Sequence, residues 1–299
     1  MSAAKPDEPQ SRGFVFAHLT DAHLPSHGGF APRELLNKRA LSALNWLRSR
    51  RRLHVRAVAD ALAADVRAHA PDHVAMTGDV TNFGLPREFE AGAEWLGALG
   101  PSVSFVPGNH DAMVAGVETA RDAVFAPFTE GGAFPYVARR GPVAFIGVST
   151  AVPTPAGLAQ GRVGAEQTER MAEALRTEQG RVRVLLIHHP PTDVTKPRRA
   201  LTDRAEVAAA IAEAGCELVL HGHDHKNELS WIDAACGRRI PVLGAPSAST
   251  PAGARKEAAE WRLIETPGPR GALFDVRRRR IGADGAFEDA GRFLLPGPS

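Results

Sequence analysis

The sequence has few cysteines, no long apolar run and no excess of charge of either sign. Cys216 and Cys236 are the only cysteines among 299 residues, which excludes a small secreted domain held together by disulfides. No segment approaches the roughly 18 consecutive apolar residues of a membrane span. The N-terminal segment MSAAKPDEPQSRG lacks the apolar core of a signal peptide. We therefore expect a cytoplasmic location.

The charge balance excludes a general affinity for nucleic acid. Lysine and arginine number 36 and aspartate and glutamate 34, which gives a net charge of +2. A nucleic-acid-binding domain is usually far more basic, so no stable nucleic-acid partner is expected. Arginine is nevertheless concentrated in 48–56 and 277–280. Such runs are typical of a solvated helix face and a solvated strand end.

The apolar pattern alternates between strands and helices. Strands are predicted at 14–20, 73–77, 103–106, 134–137, 143–148, 182–187 and 217–220, and helices at 33–50, 53–69, 86–99, 165–178 and 203–214. This alternation favours α/β architecture. We expect a flexible tail over 1–12 and a single domain over 13–299. Its β-rich part, 240–299, is expected to complete a second sheet packed on the first, with helices outside.

Five clusters of metal-ligand residues follow the predicted strands. They are HLTDAHL (18–24), MTGDV (76–80), VPGNHD (106–111), LIHHPP (186–191) and LHGHDH (220–225). The carboxyl ends of strands in an α/β protein meet at one edge of the sheet, so these clusters are expected to converge. Two carboxylates, one amide and at least three imidazoles suit two adjacent metal ions. The sequence therefore predicts a dinuclear metal hydrolase.

Spacing within the clusters indicates which side chains act together. Asp21 and His23 are two residues apart, as are His223 and His225, so on an extended chain each pair points to one side. Asp79 is the natural bridging carboxylate, because each of its two oxygens can bind one metal.

The two remaining clusters combine ligands with other roles. Asn109 offers an amide oxygen to a metal, His110 is free to act on the substrate, and Asp111 is expected to orient the His110 imidazole. His188 and His189 are adjacent on an extended segment, so they point to opposite sides and only one is expected to be a ligand.

The other histidines are interpreted as structural or exposed. His54, His69 and His73 are expected to be exposed, His18 to be a satisfied core residue, His221 to be structural and His27 to lie in a loop.

In this order, D-x-H, G-D, G-N-H-D, H and G-H-x-H resemble the motifs of the calcineurin-like metallophosphoesterase family. The match runs from Asp21 to His225, about two thirds of the chain. The HLTD and HHPP motifs are most similar to the cyclic-nucleotide and glycerophosphodiester phosphodiesterase branch. The resemblance implies a four-layer αββα sandwich with two mixed sheets, and a centre of two divalent or trivalent ions. Oxygen and imidazole ligands suit Mn, Fe or Zn.

The resemblance also assigns roles to residues. It implies that one ion is held by Asp21, His23, Asp79 and His225, and the other by Asp79, Asn109, His188 and His223. His110 matches the catalytic histidine that is not a ligand, and His188 rather than His189 matches the ligand. Asp224 stands where the family has Ser or Thr, which adds negative charge near the rim of the site.

The expected activity is that of a phosphodiesterase, in which a metal-bound hydroxide attacks a small phosphoester such as a cyclic nucleotide or a glycerophosphodiester. A lipid-linked or nucleotide pyrophosphatase is the alternative, and a non-catalytic scaffold is a third hypothesis.

Residues 33–56 are interpreted as a helical insertion, apolar on one face and arginine-rich on the other. They form either a cap over the site or, through 35–56, a contact with a membrane surface. A homodimer is a further hypothesis.

Overall fold

The computed structural model describes residues 13–25, 29–266 and 273–297. The predicted tail 1–12 and His27 lie outside these ranges. The strands are β1 Val15–Leu19, β2 His73–Met76, β3 Val103–Phe105, β4 Tyr136–Arg140, β5 Val143–Gly147, β6 Val182–Leu186, β7 Leu218–His221, β8 Glu228–Asp233, β9 Arg239–Gly244, β10 Glu260–Glu265, β11 Leu273–Ile281 and β12 Phe287–Pro296. The α-helices are α1 Arg39–Arg48, α2 Arg56–Ala68, α3 Pro86–Gly97, α4 Glu118–Phe125, α5 Ala165–Thr177 and α6 Arg204–Ala214. Short 3₁₀ turns cover Pro32–Leu35, Arg50–Arg52 and Ala126–Phe128.

The strands form two six-stranded mixed sheets. The first has the order β12-β11-β10-β1-β2-β3 and the second β4-β5-β6-β7-β9-β8. In the first sheet β1, β2 and β3 are parallel, and β10, β11 and β12 are added antiparallel. In the second sheet β5, β6, β7 and β9 are parallel, and β4 and β8 are antiparallel edges. Each sheet thus keeps a parallel core whose strands end at a common edge.

The sheets pack face to face with helices on their outer sides. One core cluster joins Phe16, Ile264 and Phe274 of the first sheet to Phe145 and Leu220 of the second. A second cluster covers the first sheet with α2, α3 and α4, and a third covers the second sheet with α5 and α6. The predicted αββα sandwich is confirmed.

Local sequence explains the helices that flank the site-bearing strands. In α2, Val58, Leu62 and Val66 are spaced four residues apart and are buried against the first sheet. Helix α3 begins at Pro86, which suits the first turn of a helix. The Glu88 carboxylate accepts hydrogen bonds from the backbone N–H groups of Phe83 (2.9 Å) and Leu85 (3.1 Å), which caps that turn.

One expectation about the sheets is wrong, that residues 240–299 complete the second sheet. Of the strands after residue 238 only β9 joins the second sheet; β10, β11 and β12 complete the first, because β10 pairs with the free edge of β1, Val15 opposite Glu265. The arginine run 277–280 lies in the last part of β11, where Arg277 and Arg280 are exposed, as expected, and Arg278 and Arg279 are half-buried. There Arg278 pairs with Glu260 at 2.7 Å and Arg279 with Asp65 at 2.8 Å.

None of the helices in the described ranges is long and apolar enough to cross a membrane.

Candidate metal centre

The predicted ligand clusters meet at the carboxyl-terminal edges of both sheets. Asp21 and His23 follow β1, Asp79 follows β2, and Asn109, His110 and Asp111 follow β3 of the first sheet. His188 follows β6, and His223 and His225 follow β7 of the second sheet. Apart from the half-buried His225, the side chains of this set are buried. Parallel strands thus bring residues more than 200 positions apart into one site.

One group of ligand atoms gathers around Asp21. The His225 Nε2 atom lies 3.1 Å from Asp21 Oδ1, and the His23 Nε2 atom lies 3.6 Å from the same oxygen. The two Nε2 atoms are 3.2 Å apart. The other carboxylate oxygen, Oδ2, accepts hydrogen bonds from the Thr20 hydroxyl and the His223 backbone N–H. Asp21 is therefore held by its protein partners with Oδ1 directed at the two imidazoles.

A second group contains polar atoms that the fold buries without a hydrogen-bond partner. Within the described ranges these include Asn109 Oδ1, His188 Nε2 and His223 Nε2. Burying such an atom unpaired costs roughly 1–3 kcal/mol. All three are electron-pair donors of the kind that bind Mn, Fe or Zn. The ligand atoms of His188 and His223 lie within 4.8 Å of each other, an arrangement that fits a bound cation.

Asp79 lies between the two groups. Its Oδ2 atom is 3.3 Å from His188 Nε2 and 3.8 Å from His23 Nε2. Its Oδ1 atom accepts the His110 backbone N–H at 2.7 Å. Oδ2 thus lies close to both groups, while Oδ1 is hydrogen-bonded to the backbone; that each oxygen binds a different metal stays a prediction.

The backbone around these ligands is held in an unfavourable conformation. In the described chain seven non-glycine residues have positive φ, and five of them are Asp21 (55°), His23 (42°), Asp79 (52°), His223 (73°) and His225 (54°). The left-handed region costs an L-residue of order 1–3 kcal/mol and persists only where the surrounding structure enforces it. This concentration of strain indicates a functional centre.

Two glycines allow the ligand loops to pack closely. A Cβ atom at Gly108 would collide with Asp79 Oδ1, and one at Gly222 would collide with Thr20 Oγ1. Both contacts involve atoms that position Asp79 or Asp21, so a side chain at either glycine would displace a carboxylate.

Backbone carbonyls orient two of the imidazoles. His23 Nδ1 lies 3.2 Å from the Thr81 carbonyl oxygen, and His188 Nδ1 lies 2.7 Å from that of Thr77. An Nδ1–H that donates to a carbonyl leaves Nε2 as the lone-pair donor. Both rings thereby present Nε2 to the centre.

His189 is arranged differently from its neighbour His188. Its Nδ1 atom lies 2.7 Å from the Thr150 hydroxyl and its Nε2 atom 3.2 Å from the Ala159 carbonyl oxygen. Both ring nitrogens are thus engaged by the protein, whereas His188 has an unpaired Nε2.

Asp111 does not orient the His110 ring, contrary to the expectation from sequence. Its carboxylate accepts hydrogen bonds from the backbone N–H groups of Asp79 (2.8 Å), Gly108 (2.9 Å) and Thr81 (3.0 Å). Burial and the nearby Asp79 charge raise its pKa to about 6. The His110 Nδ1 atom instead donates to the Asn82 carbonyl oxygen at 2.6 Å. Asp111 holds together the two loops that carry Asp79 and Asn109.

The charges of the centre are strongly coupled. Burial raises the pKa of Asp79, but the imidazoles of His188 and His110 outweigh it and hold that pKa well below its usual range. Burial likewise opposes ionisation of His188, yet the Asp79 carboxylate raises the pKa of His188 to about 9. Burial and the Arg50 charge hold the pKa of His110 well below its usual value. The Asp79 carboxylate is therefore charged, whereas the His110 imidazole beside it is neutral.

An open cavity of about 330 Å³ lies over the ligands. Its walls include His110, His223 and His225 and three cationic side chains, Arg50, Arg199 and Lys256. Arg199 is also an ion-pair partner of Asp224, with Nη2 to Oδ1 at 3.3 Å. The charge that Asp224 adds near the rim is therefore paired.

Two residues of this site were assigned elsewhere from sequence. Half-buried Arg50 places Nη1 2.9 Å from His110 Nε2, so this arginine of the 48–56 run is not on a solvated face. His54, expected to be exposed, is buried and lies with its ring centroid 4.3 Å from that of His23. His73 is also buried, between Ser102 and Ser104.

No local pattern distinguishes Arg50 from Arg51 and Arg52. The Arg50–His110 contact joins residues 60 apart, and the hydrogen bond of His54 to Ser249 joins residues 195 apart. The one signal available was that a histidine follows an arginine run in a segment without acidic residues, but such a run is ordinarily solvated.

A model of the calcineurin-like phosphoesterase family matches residues 14–227. The chain belongs to this family. The prediction made from the five motifs is confirmed, and with it the class of metal-dependent phosphoric ester hydrolases. The described centre lies within the matched range, from Asp21 to His225.

Relatives and solved structures agree with this assignment. The chain is 31% identical over 111 residues to the glycerophosphodiester phosphodiesterase GpdQ of Enterobacter lignolyticus, a match that covers 36% of this chain and spans about a third (33%) of that relative's length. A dimetal phosphatase from Danio rerio superposes with a TM-score of 0.62 at 12% identity, covering 96% of this chain and 100% of the other. A purple acid phosphatase from yellow lupin (Lupinus luteus) seeds gives 0.59 at 12% identity, covering 96% and 54%. These two likenesses show the shared fold.

Proposed function

We propose that this chain is a phosphodiesterase that holds two metal ions and hydrolyses a small substrate such as a cyclic nucleotide or a glycerophosphodiester. The observation that carries the proposal is the convergence of two groups of ligand atoms on Asp79 Oδ2. The ligands are Asp21, His23, Asp79 and His225 for one ion and Asp79, Asn109, His188 and His223 for the other. The diesterase activity is supported by the similarity to GpdQ.

The protein itself orients the ligand imidazoles and keeps the ligand carboxylate charged. When bound, such ions polarise the phosphoryl group and lower the pKa of the attacking water. Carbonyl hydrogen bonds to His23 and His188 keep Nε2 available, and the low pKa of Asp79 keeps its carboxylate charged. No serine or threonine is required as a nucleophile.

His110 and Arg50 form the catalytic pair above the ligands. His110 donates through Nδ1 to Asn82 and accepts through Nε2 from Arg50 Nη1. Both side chains line the cavity. In the proposed complex the guanidinium binds a phosphoryl oxygen and releases His110 Nε2, which takes up a proton from solvent beside the anionic phosphoryl group and donates it to the leaving oxygen.

A pyrophosphatase acting on a nucleotide or a lipid-linked diphosphate is the second candidate. The observation that favours it is the presence of three cations, Arg50, Arg199 and Lys256, around one cavity. A single phosphodiester carries one negative charge, whereas a diphosphate would engage more of these cations.

A substrate panel on metal-reconstituted protein separates these functions. The panel contains a bis-p-nitrophenyl diester, a p-nitrophenyl monoester, a cyclic nucleotide, a glycerophosphodiester and a nucleotide diphosphate ester, each tested with Mn, Fe and Zn. We expect the highest kcat/KM for a diester. Preference for the diphosphate would favour the second candidate, and no turnover by fully metal-loaded protein would leave only the scaffold hypothesis.

The His110→Ala variant tests the catalytic pair. It should retain its metal, and its loss should be larger for the cyclic nucleotide than for the p-nitrophenyl diester, because a poor leaving group depends more on a proton donor. General acid assistance is typically worth ~10²–10⁴-fold. Equal losses on both substrates would show that His110 acts on the phosphoryl group, and a loss of metal would place it among the ligands.

A further inference from the structure

Helix α1 exposes its apolar side. Leu41, Leu44 and Leu47, three residues apart and so on one stripe of the helix, are 47%, 41% and 57% exposed. The side that faces the protein carries Ala43, which is buried, and Trp46, which packs against Phe83 with ring centroids 6.0 Å apart. This is the reverse of an ordinary amphipathic surface helix, which buries its leucines.

The exposed leucines form a patch rather than a scatter. Among the described residues eight large apolar side chains are exposed, and four of them, Leu36, Leu41, Leu44 and Leu47, fall within twelve consecutive positions. Single exposed leucines need no explanation, but a contiguous patch usually marks a contact with a partner or a membrane. We call residues 36–52 the docking segment.

The docking segment is also basic, and its exposed arginines have no carboxylate partners among the described residues. Residues 36–52 contain six lysines and arginines and no aspartate or glutamate. Arg48, Arg51 and Arg52 are exposed. No carboxylate of the described chain lies within ion-pair distance of these three, although Arg279 and Arg292 on the first sheet both have such partners. The apolar stripe therefore lies beside free positive charge.

This combination selects one kind of occupant. A second copy of the chain could bury the leucines across a two-fold axis, but it would leave the free arginines of both copies without a partner of opposite charge. A nucleic acid would satisfy the arginines but leave the leucines in water. An anionic lipid surface accepts both, since leucines enter the acyl boundary while arginines contact headgroup phosphates. We propose that the docking segment binds the protein to an anionic lipid surface.

The docking segment is joined to the cavity. Arg50, Leu53 and His54 line the cavity wall. Lys38 donates hydrogen bonds to Thr154 Oγ1 (2.7 Å) and to the Leu158 carbonyl oxygen (3.1 Å), next to Ala159 of the same wall. Docking therefore brings the cavity mouth close to the lipid headgroups. The proposal concerns binding alone and holds whichever phosphoester the centre hydrolyses.

Co-sedimentation of the full chain with vesicles tests it. One set of vesicles contains phosphatidylcholine only, and the other contains equal parts of phosphatidylcholine and phosphatidylglycerol. We expect binding to the mixed vesicles, weaker binding at high salt, and little binding to neutral vesicles. Arg51→Gln/Arg52→Gln should lower the partition coefficient by roughly fivefold per arginine, about 25-fold in all. Leu41→Gln/Leu44→Gln/Leu47→Gln should also lower it.

Matched controls use similar exposed residues elsewhere. Arg277→Gln/Arg280→Gln and Leu229→Gln/Leu273→Gln/Leu294→Gln change exposed side chains of the same types outside the docking segment and should bind as the wild type does. All variants should retain hydrolysis of the small diester. Wild-type binding by both docking-segment variants would overturn the proposal, as would the absence of binding to mixed vesicles. A wild-type dimer in light scattering that the leucine variant abolishes would assign the patch to a second copy and overturn it too.

Discussion

Adjacent histidines in this centre have opposite hydrogen-bonding states. His188 holds Nε2 unpaired beside Asp79, whereas both nitrogens of His189 are engaged by Thr150 and Ala159. An unpaired buried nitrogen is stabilised by a cation, while a fully hydrogen-bonded ring has nothing to offer one. Of these two adjacent residues, His188 therefore has a ring nitrogen available to a metal and His189 does not.

We expect His188→Ala to lose metal and His189→Ala to retain it. Loss of partners that only orient a ligand typically costs 10–100-fold, so loss of a ligand should lower diesterase activity by more than about 100-fold. His189→Ala should instead lower the free energy of unfolding, because it removes two buried hydrogen bonds. Metal content by mass spectrometry and urea unfolding measure the two effects. Equal metal loss in both variants would contradict the assignment.

Arg50 is the residue at which the structure changes the expectation most. The sequence predicts a solvated helix face for the 48–56 run, yet Arg50 contacts His110 while Arg51 and Arg52 are exposed. We expect Arg50→Gln to lower kcat/KM for a small diester by about 10- to 100-fold, since a hydrogen bond to a charged group is worth ~1.5–3 kcal/mol. Arg51→Gln/Arg52→Gln is the matched control and should leave it unchanged. Wild-type kcat/KM in Arg50→Gln would remove Arg50 from the catalytic pair.

At the scale of secondary structure, strands and helices with a strong apolar period were predicted to within a few residues. Helix α4 was missed because Glu118–Phe125 is only eight residues long and most of its residues lie on the surface. Strand β8, Glu228–Asp233, was missed because it is an edge strand with only one buried residue. Short or exposed elements are fixed by tertiary contacts that local periodicity does not contain.

The candidate site likewise contains residues that a local pattern predicts and residues that only tertiary contacts place there. Its ligands could be predicted because each follows a strand, and strand ends converge for topological reasons. Arg50 and His54 could not, because they reach the cavity through the packing of residues 33–56 against the Phe83 region and Ser249. The hydrogen-bonding role of Asp111 depends on the detailed course of two loops and was also beyond the sequence.

Strand β2 contains a buried histidine that makes stability depend on pH. Burial lowers the pKa of His73 to about 3, below the usual 6.5, so the folded state keeps it neutral. Above pH 6.5 both states are neutral and pH has no effect through this group. As the pH falls from 6.5 towards 3 the unfolded state takes up a proton that the folded state does not, and stability falls by up to ~1.4 kcal/mol per pH unit.

His73→Gln should remove this pH dependence. The variant is expected to be less stable than the wild type near pH 7, because two hydrogen bonds to serine are disturbed. Near pH 4.5 the difference should move in favour of the variant by about 2 kcal/mol. Urea unfolding at both pH values measures the change. A stability difference that is the same at both would show that His73 is protonated in the folded state.

For the molecule as a whole, the centre lies between the two sheets. Asp21, His23, Asp79 and Asn109 follow strands of the first sheet, whereas His188, His223 and His225 follow strands of the second. Ions shared between these ligands would connect the sheets in the folded state and would have no comparable site in the unfolded chain. Metal binding should therefore stabilise the sandwich as well as support catalysis.

Removing the metal with a chelator is expected to lower the thermal midpoint Tm of the reconstituted protein. An ion present at about 100 times its Kd adds roughly 2.7 kcal/mol, which for a chain of this size corresponds to about 4 °C per ion. Readdition of the metal should restore Tm. Asp79→Ala provides the control, because Asp79 lies close to both ligand groups and its loss should weaken both ions. Calorimetry should therefore find a much smaller chelator effect in that variant, together with loss of diesterase activity. An undiminished shift in Asp79→Ala would show that each group of ligands holds its ion without the shared carboxylate.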